Sequence, residues 1–482
     1  MMGRAKGIQE PLFSYKVNLD ARVRSDHPLR KIQRIIDFDF IYKEVEEAYG
    51  SNGNVSVPPP VILKMMMLLF FYDVRSEREL METIPERLDW LWFLGYTLDD
   101  EIPNHSVLSK ARARWGAEAF RRFFERIVEQ CVEAGLVDGS KVFVDASLID
   151  ANASNSSVVD KQSLRRYLNK RYREMEEGLE EKGTPVNKRF VSTTDPDASI
   201  LRQGGSRSKV RYKTHRGVDP LHEVITATRI TPGAVDDGAM LQDIIQLHEA
   251  NTGTDVDTVV GDSKYGTTEN FLTCHDKGIH AHMPCLEKTQ GNTGRRRGIF
   301  GAEEFTYDAG ADTFICPAGQ ILRRRCFQAA RNCYEYRAPK GVCKTCVMRD
   351  SCTKDKGGRT LKRHIRQEDL DHVRAEARSR KARRDIKTRQ DLSERSFAGS
   401  TRYGFKRARW RRLWRMEIQD YLIAVVQNIR ILISHTAPEK AAGMARQGVL
   451  RQVIAAVSDI FSLYVMNPID RLRFHEGIGE FA

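Results

Sequence analysis

The chain contains two short apolar runs that each end on an aspartate, Val142-Phe-Val-Asp145 and Val259-Val-Gly-Asp262. Apolar runs of this length, bounded by small and polar residues, read as buried strands, and the change of character places each carboxylate where its strand emerges. An aspartate after a strand most often just starts a turn. Two of them in one domain admit another reading. If the fold brings Asp145 and Asp262 together across the 117 positions between them, they become ligands for a divalent cation in phosphoryl-transfer chemistry.

The 482 residues leave room for two or three domains and a substantial core. The longest apolar run, Met65 to Tyr72, is far short of the ~20 residues a membrane span needs, so no membrane partner is expected. The opening residues lack the apolar core of a signal peptide, which makes a cytoplasmic, nucleoid-associated location the expectation. Nine cysteines are then expected to stay reduced unless metal holds them. The net charge of +13 is unevenly spread: Arg378 to Arg415 holds fifteen Lys or Arg against three acidic residues. Phe397, Tyr403, Phe405, Trp410 and Trp414 are interleaved with them. A charge run is usually a solvated face, but one this one-sided fits a polyanion, because cations on phosphates release condensed counterions. Double-stranded DNA is the partner expected.

Residues ~25–135 read as helical and form an all-α N-terminal domain after a tail of residues 1–24. Val61 to Tyr72 is apolar almost all round, as a buried helix is, and Ser76 stands at a plausible N-cap of the next. A third helix after Pro103-Asn-His-Ser106 carries Lys110, Arg112 and Arg114, giving it a basic face. From residue 136 strands alternate with helices, as in a mixed α/β domain. Extended segments are expected at 210–215 and 223–229, helices at 160–182 and 235–247, and a polar loop at 183–208. A basic helical stretch at ~365–395 precedes an amphipathic helix at ~413–434. Residues 436–482 read as a C-terminal tail.

Further residues carry a family resemblance. Ser76-Glu-Arg-Glu-Leu80, Phe93-Leu-Gly95 and Ile102-Pro-Asn-His-Ser106 stand in the N-terminal part. Tyr212-Lys-Thr-His215 with Asp219, Gly261-Asp-Ser-Lys-Tyr-Gly266, and Arg389-Gln-Asp-Leu-Ser-Glu-Arg-Ser-Phe397 follow in order. In order and spacing the chain resembles bacterial insertion-sequence transposases of the DDE class. The resemblance implies a ribonuclease-H-like mixed-sheet catalytic domain over 136–435, with a small cysteine-rich insertion at 310–355. It implies strand cleavage and transfer at element ends and target DNA, by a homo-oligomer on DNA. Asp145, Asp262 and Glu394 are the implied catalytic carboxylates, holding Mg²⁺ or Mn²⁺. Two places depart from the family pattern: Ser393 precedes the glutamate where an apolar residue is usual, and Thr401 stands where a lysine is usual. Arg402 is the substitute cation, and Glu417 is the second choice of glutamate. Lys264, Arg389, Arg402, Lys406, Arg407, Arg409, Arg411 and Arg412 are the expected DNA contacts. A domesticated DNA-binding relative without catalysis, or a carboxylate-metal nuclease that does not join, are the alternatives.

No Gly-x-Ser-x-Gly elbow, P-loop or His-Glu-x-x-His motif competes with this reading. Cys131, Cys274 and Cys285 lie in apolar-mixed sequence and read as core thiols. Cys343-Lys-Thr-Cys346 is a zinc-knuckle half-site. Cys316 and Cys352 complete a candidate structural Zn²⁺ set that also recurs in the family resembled, with Cys326 and Cys333 as rival ligands.

Overall fold

A computed structural model describes residues 17–50, 55–160, 190–202, 207–286 and 298–435. The chain divides into two compact units, Met1–Phe123 with Val425–Ala482, and Phe124–Ala424.

The described part of the first unit is helical. In chain order it holds α1 (Leu19–Arg22), α2 (Pro28–Ile35), α3 (Phe40–Val45), α4 (Pro59–Phe71), α5 (Glu77–Thr83), α6 (Leu88–Leu94), α7 (Ser106–Trp115) and the start of α8 (Glu118–Glu133). Proline fits the first helical position because its missing N–H has no intrahelical partner there, and α4 begins on one. Every residue of α4 except Lys64 is buried. The Lys64 ammonium donates to the Phe93 carbonyl at 3.1 Å and stands about 5 Å from the Phe38 and Phe93 rings. Burial pushes its pKa down to about 8. Ser76 caps α5, accepting from Glu79 N at 3.1 Å. Of the basic face expected of α7, Lys110 and Arg114 are exposed four residues apart, but Arg112 is not part of it. Residues two apart point to opposite sides of a helix, so Arg112 turns inward to an ion pair with Glu77 while Lys110 is exposed. Arg114 lies over the Tyr49 ring.

The second unit is built on a mixed sheet. Its strands are β1 (Lys141–Asp150), β2 (Val158–Asp160), β3 (Phe190–Ser192), β4 (Ser199–Leu201), β5 (Lys209–Val218), β6 (Ile225–Pro232), β7 (Thr258–Val260) and β8 (His280–His282). Helices α9 (Leu241–Thr252) and α10 (Thr268–Asp276) precede and follow β7. The main sheet runs β4-β5-β1-β7-β8, with β6 also on β5. β1, β5 and β6 are antiparallel, whereas β7 and β8 run parallel to β1. Three antiparallel strands followed by two parallel ones, with β1 in the centre, is the ribonuclease-H-like order. Val142 and Val144 face one side, where Ala227, Leu241, Ile244, Val259, Phe271 and Met283 form the core. The expected loop at 183–208 holds β3 and β4 instead: β3 pairs with β2 across thirty residues, a contact local composition does not announce. The helix expected at 160–182 lies, past Asp160, outside the described residues.

A second sheet interrupts this unit: β9 (Thr306–Asp308), β10 (Thr313–Ile315), β11 (Ile321–Gln328), β12 (Cys333–Arg337) and β13 (Thr360–His364). It is an antiparallel meander with its own core of Phe305, Phe314, Leu322, Tyr336 and Leu361. Short α11 (Arg349–Cys352) lies between β12 and β13. The basic stretch then forms two helices, α12 (Gln367–Glu376) and α13 (Arg380–Thr401), separated where Ser379 caps the second. Amphipathic α14 (Leu413–His435) ends the described chain.

Candidate active site

Asp145 and Asp262 meet because β1 and β7 are parallel neighbours in register. Phe143 stands beside Val260, so each aspartate lies two residues past a matched pair. Asp262 follows the end of β7 as expected, but β1 does not end at Asp145: it runs on to Asp150 along β5, so this carboxylate stands mid-strand, just past the part of β1 that β7 covers. Neighbouring strands are ~4.8 Å apart, close enough for each carboxylate to feel the other. Burial raises the Asp145 pKa above the usual carboxylate range, and the charge of Asp262 adds to the rise. Arg389 opposes it through a 3.0 Å ion pair, and Ala146 N donates to the same carboxylate at 2.8 Å. Asp262 accepts from Lys264 N at 2.8 Å, which fixes the turn leaving β7. Gly266 closes that turn against Pro284: a Cβ here would lie 2.0 Å from the Pro284 carbonyl oxygen, so only glycine fits.

Other charged groups gather beside the pair. Asp237 is buried and holds both Lys213 and Lys264, the latter at 2.8 Å. Tyr265 is fully buried, and its hydroxyl pKa is pushed well up by burial and by Asp237, Asp145 and Asp262. The Asp237–Lys213 contact escaped sequence reading because Val235-Asp-Asp looks like an ordinary helix start.

α13 crosses the opposite face of the sheet from the apolar core, over β1, β7 and β8. Its inward side repeats every four residues. Asp385 pairs with Lys141 at 3.1 Å and His282 at 2.7 Å, then Arg389 meets Asp145, and buried Ser393 lies within hydrogen-bonding reach of Asp145. Glu394 is the next residue, about 100° further round the helix, and is exposed. Asp145 and Asp262 are thus together, and Glu394 stands to one side of them. Glu417 of α14 is half-buried, its pKa raised by burial against the pull of Arg229, and its electrostatic neighbours are Arg229 and Asp420. Among the described residues no three His, Cys, Asp or Glu side chains close round a common point as metal ligands do.

The far end of α13 is fixed by a buried cation. Arg216, directly across the ladder from Asp145, is 1% exposed and lies between the Phe397 and Phe405 rings. It donates to Ser400 and pairs with Asp420 of α14 at 3.2 Å, while Asp420 accepts from Thr214 and Thr228.

The segment after α13 folds back along β1. Asp150 N donates to Lys406 O at 3.0 Å, and Ala408 N donates to Asp150 O at 2.8 Å. Lys406 reaches Ser147, two residues along from Asp145 on the same side of the strand. Arg402, Arg407, Arg411 and Arg412 are exposed, whereas Arg409 is half-buried and its backbone is held by Gln419. Arg411 donates to the Asn152 carbonyl, and Arg412 faces Asp197. Of the expected DNA contacts, Arg389 is turned inward onto Asp145, and Lys264 reaches Asp237 from a largely exposed position.

In the second sheet Cys316, Cys343, Cys346 and Cys352 line one small cavity of about 20 Å³. Cys326 is exposed on β11, and Cys333 donates to the Arg331 carbonyl. Cys131 and Cys274 are buried, with pKa values pushed up to about 12 and about 11, as inert core thiols are.

Two family models match the chain. Residues 17–114 match a transposase domain (DUF772), and residues 315–433 match a transposase DDE domain. The second match takes in the four cysteines and α13 with Glu394. No curated protein matches. Among solved structures, a piggyBac transposase synaptic complex with hairpin DNA aligns at 9% identity over 94% of this chain and 84% of that one, with a TM-score of 0.37. A likeness that slight says nothing about this chain. The family matches define a metal-dependent enzyme of DNA phosphoryl transfer. The chain carries a transposase domain and a transposase DDE domain, which together support a DDE-class transposase.

Proposed function

We propose that this chain cuts and rejoins DNA at the ends of an insertion sequence, using Asp145, Asp262 and Glu394 to hold Mg²⁺ or Mn²⁺. The observation that carries the reading is the placing of Asp145 and Asp262 side by side, each two residues past the last matched pair of the parallel strands β1 and β7. Acceptor-only oxygens, with Asp145 held at raised proton affinity by burial and by its neighbour's charge, fit a hard divalent cation. When bound, the metal activates the attacking hydroxyl and stabilises the departing 3′-oxygen. The protein's part is placement. β1 and β7 fix the two aspartates, and α13 supplies Glu394 next to the face that touches Asp145. Arg389 orients the Asp145 carboxylate and offsets its charge. Lys406 and Arg407, held against β1, neutralise backbone phosphates. The protein acts as a homo-oligomer on DNA in the cytoplasm.

The four cysteines lining one cavity offer the thiolate donors that structural Zn²⁺ takes, although no three of them close round a common point. Gln320 N donates to Cys316 Sγ at 3.3 Å while Cys316 N donates back to Gln320 O at 2.9 Å, a tight turn round the sulfur. The charges of Cys316, Cys343 and Cys346 all reach Cys352. Drawing the four thiolates onto one ion would brace the second sheet.

Strand joining separates this reading from a nuclease. Purified protein incubated with element-end DNA, a target plasmid and Mg²⁺ is expected to give target-joined products. Cleavage with no joined product would make it a nuclease.

A further inference from the structure

The second sheet carries a charge arrangement that folding does not favour. The β11–β12 register sets Arg323 directly opposite Arg337, and like charges across a ladder repel. The same end of the sheet gathers Lys340, Lys344 and Lys356 round a cleft of about 590 Å³, with Arg324 and Arg325 beside them. Seven of its twelve lining residues are Lys or Arg, and none is acidic, so nothing in the wall offsets the repulsion. Two of these cations have fold contacts: Arg324 pairs with Asp312 at 2.9 Å, and Arg337 donates to the Gly357 carbonyl at 3.0 Å. Arg323, Arg325, Lys340, Lys344 and Lys356 are exposed, and no described carboxylate pairs with them.

Fold stability does not explain such a wall, since each cation raises the energy of the others within a Debye length of ~8 Å. A bound polyanion does. We propose that this cleft is a second DNA-backbone surface, carried by the inserted sheet and distinct from the Arg378–Arg415 segment. The proposal rests on the DNA transposase reading and names where a further length of duplex lies. Exposed side chains on a small sheet suit phosphate contacts, which position a duplex without reading its sequence.

The test uses the full chain with Arg323, Arg325, Lys340, Lys344 and Lys356 all changed to Gln. Affinity for element-end and random duplexes is expected to fall equally. The slope of log affinity against log salt is expected to become shallower by ~0.9 for each phosphate no longer neutralised. Exchanging Lys for Arg and Arg for Lys at the same five positions should keep the wild-type slope. Should the Gln variant not fold, acetylation of wild-type protein gives the answer: duplex DNA must protect Lys340, Lys344 and Lys356. An unchanged slope, or lysines equally reactive with and without DNA, overturns the proposal even where cleavage is intact. Weakened binding to anionic vesicles with DNA affinity unchanged would make the cleft a membrane contact and overturn it too. If wild-type protein never cuts DNA yet the slope changes, the catalytic reading fails and the cleft stands.

Discussion

Burial holds the Asp145 carboxyl above the usual carboxylate range, and the charge of Asp262 beside it adds to the rise. Arg389 opposes it. The helix phase that delivers Arg389 and Ser393 leaves Glu394 to one side, so the two neighbours can be told apart by substitution. Glu394→Ala is expected to lower cleavage by orders of magnitude, as loss of a metal ligand does. Ser393→Ala removes one hydrogen bond to a charged group, worth about 1.5 kcal/mol, or about tenfold in rate. A dead Ser393→Ala beside an active Glu394→Ala would mean that the third ligand lies elsewhere. Arg216 is the other decisive residue. Removing one member of a buried ion pair strands the other charge, at a cost of about 3–5 kcal/mol. Denaturant unfolding should therefore find Arg216→Met strongly destabilised, and Arg216→Met/Asp420→Leu less so. Equal losses in the two would show that the pair's charge is irrelevant and its packing is what matters.

Among the elements, α4 and the inserted sheet make opposite demands on their polar residues. On α4, Lys64 is half-buried and bonded to a backbone carbonyl, and desolvation lowers its pKa from 10.5 to about 8 against the pull of Asp39. A base with a depressed folded pKa contributes stability above its unfolded pKa and loses it as pH falls through the folded value. Wild-type stability, measured against Lys64→Met, is therefore expected to rise as pH climbs from about 8 to about 10.5. A difference that stays flat over that window would show that Lys64 remains charged and solvated. The inserted sheet has a small core, which metal would supplement. Protein purified without chelator should contain close to one zinc per chain, and Cys343→Ser/Cys346→Ser should lose it and unfold at lower temperature. Metal-free protein of unchanged thermal stability would leave the four thiols as packing residues.

At the scale of the whole molecule, what could be read from the sequence was what local pattern determines. The change from apolar run to aspartate marked the end of β7 but not that of β1, which pairs with β5 as far as Asp150, and helical spacing from Ile418 to Leu432 marked α14. What escaped depends on long-range partners. The phase of α13, which turns Ser393 rather than Glu394 to Asp145, is set by the strands beneath it. The inserted sheet hid because Ile321-Leu-Arg-Arg-Arg-Cys-Phe-Gln328 lacks strict alternation, its register slipping between Arg324 and Cys326. Arg112 looked like surface and is buried because Glu77 lies behind it. The proposed chemistry requires that Asp145 and Asp262, distant in sequence, act as one metal-holding pair. The most direct test is Mg²⁺-dependent cleavage of element-end DNA by full-length Asp145→Ala and Asp262→Ala proteins, with DNA affinity measured alongside. Each variant is predicted to bind DNA about as wild type does and to cut none of it; cleavage by either at the wild-type rate would contradict the claim.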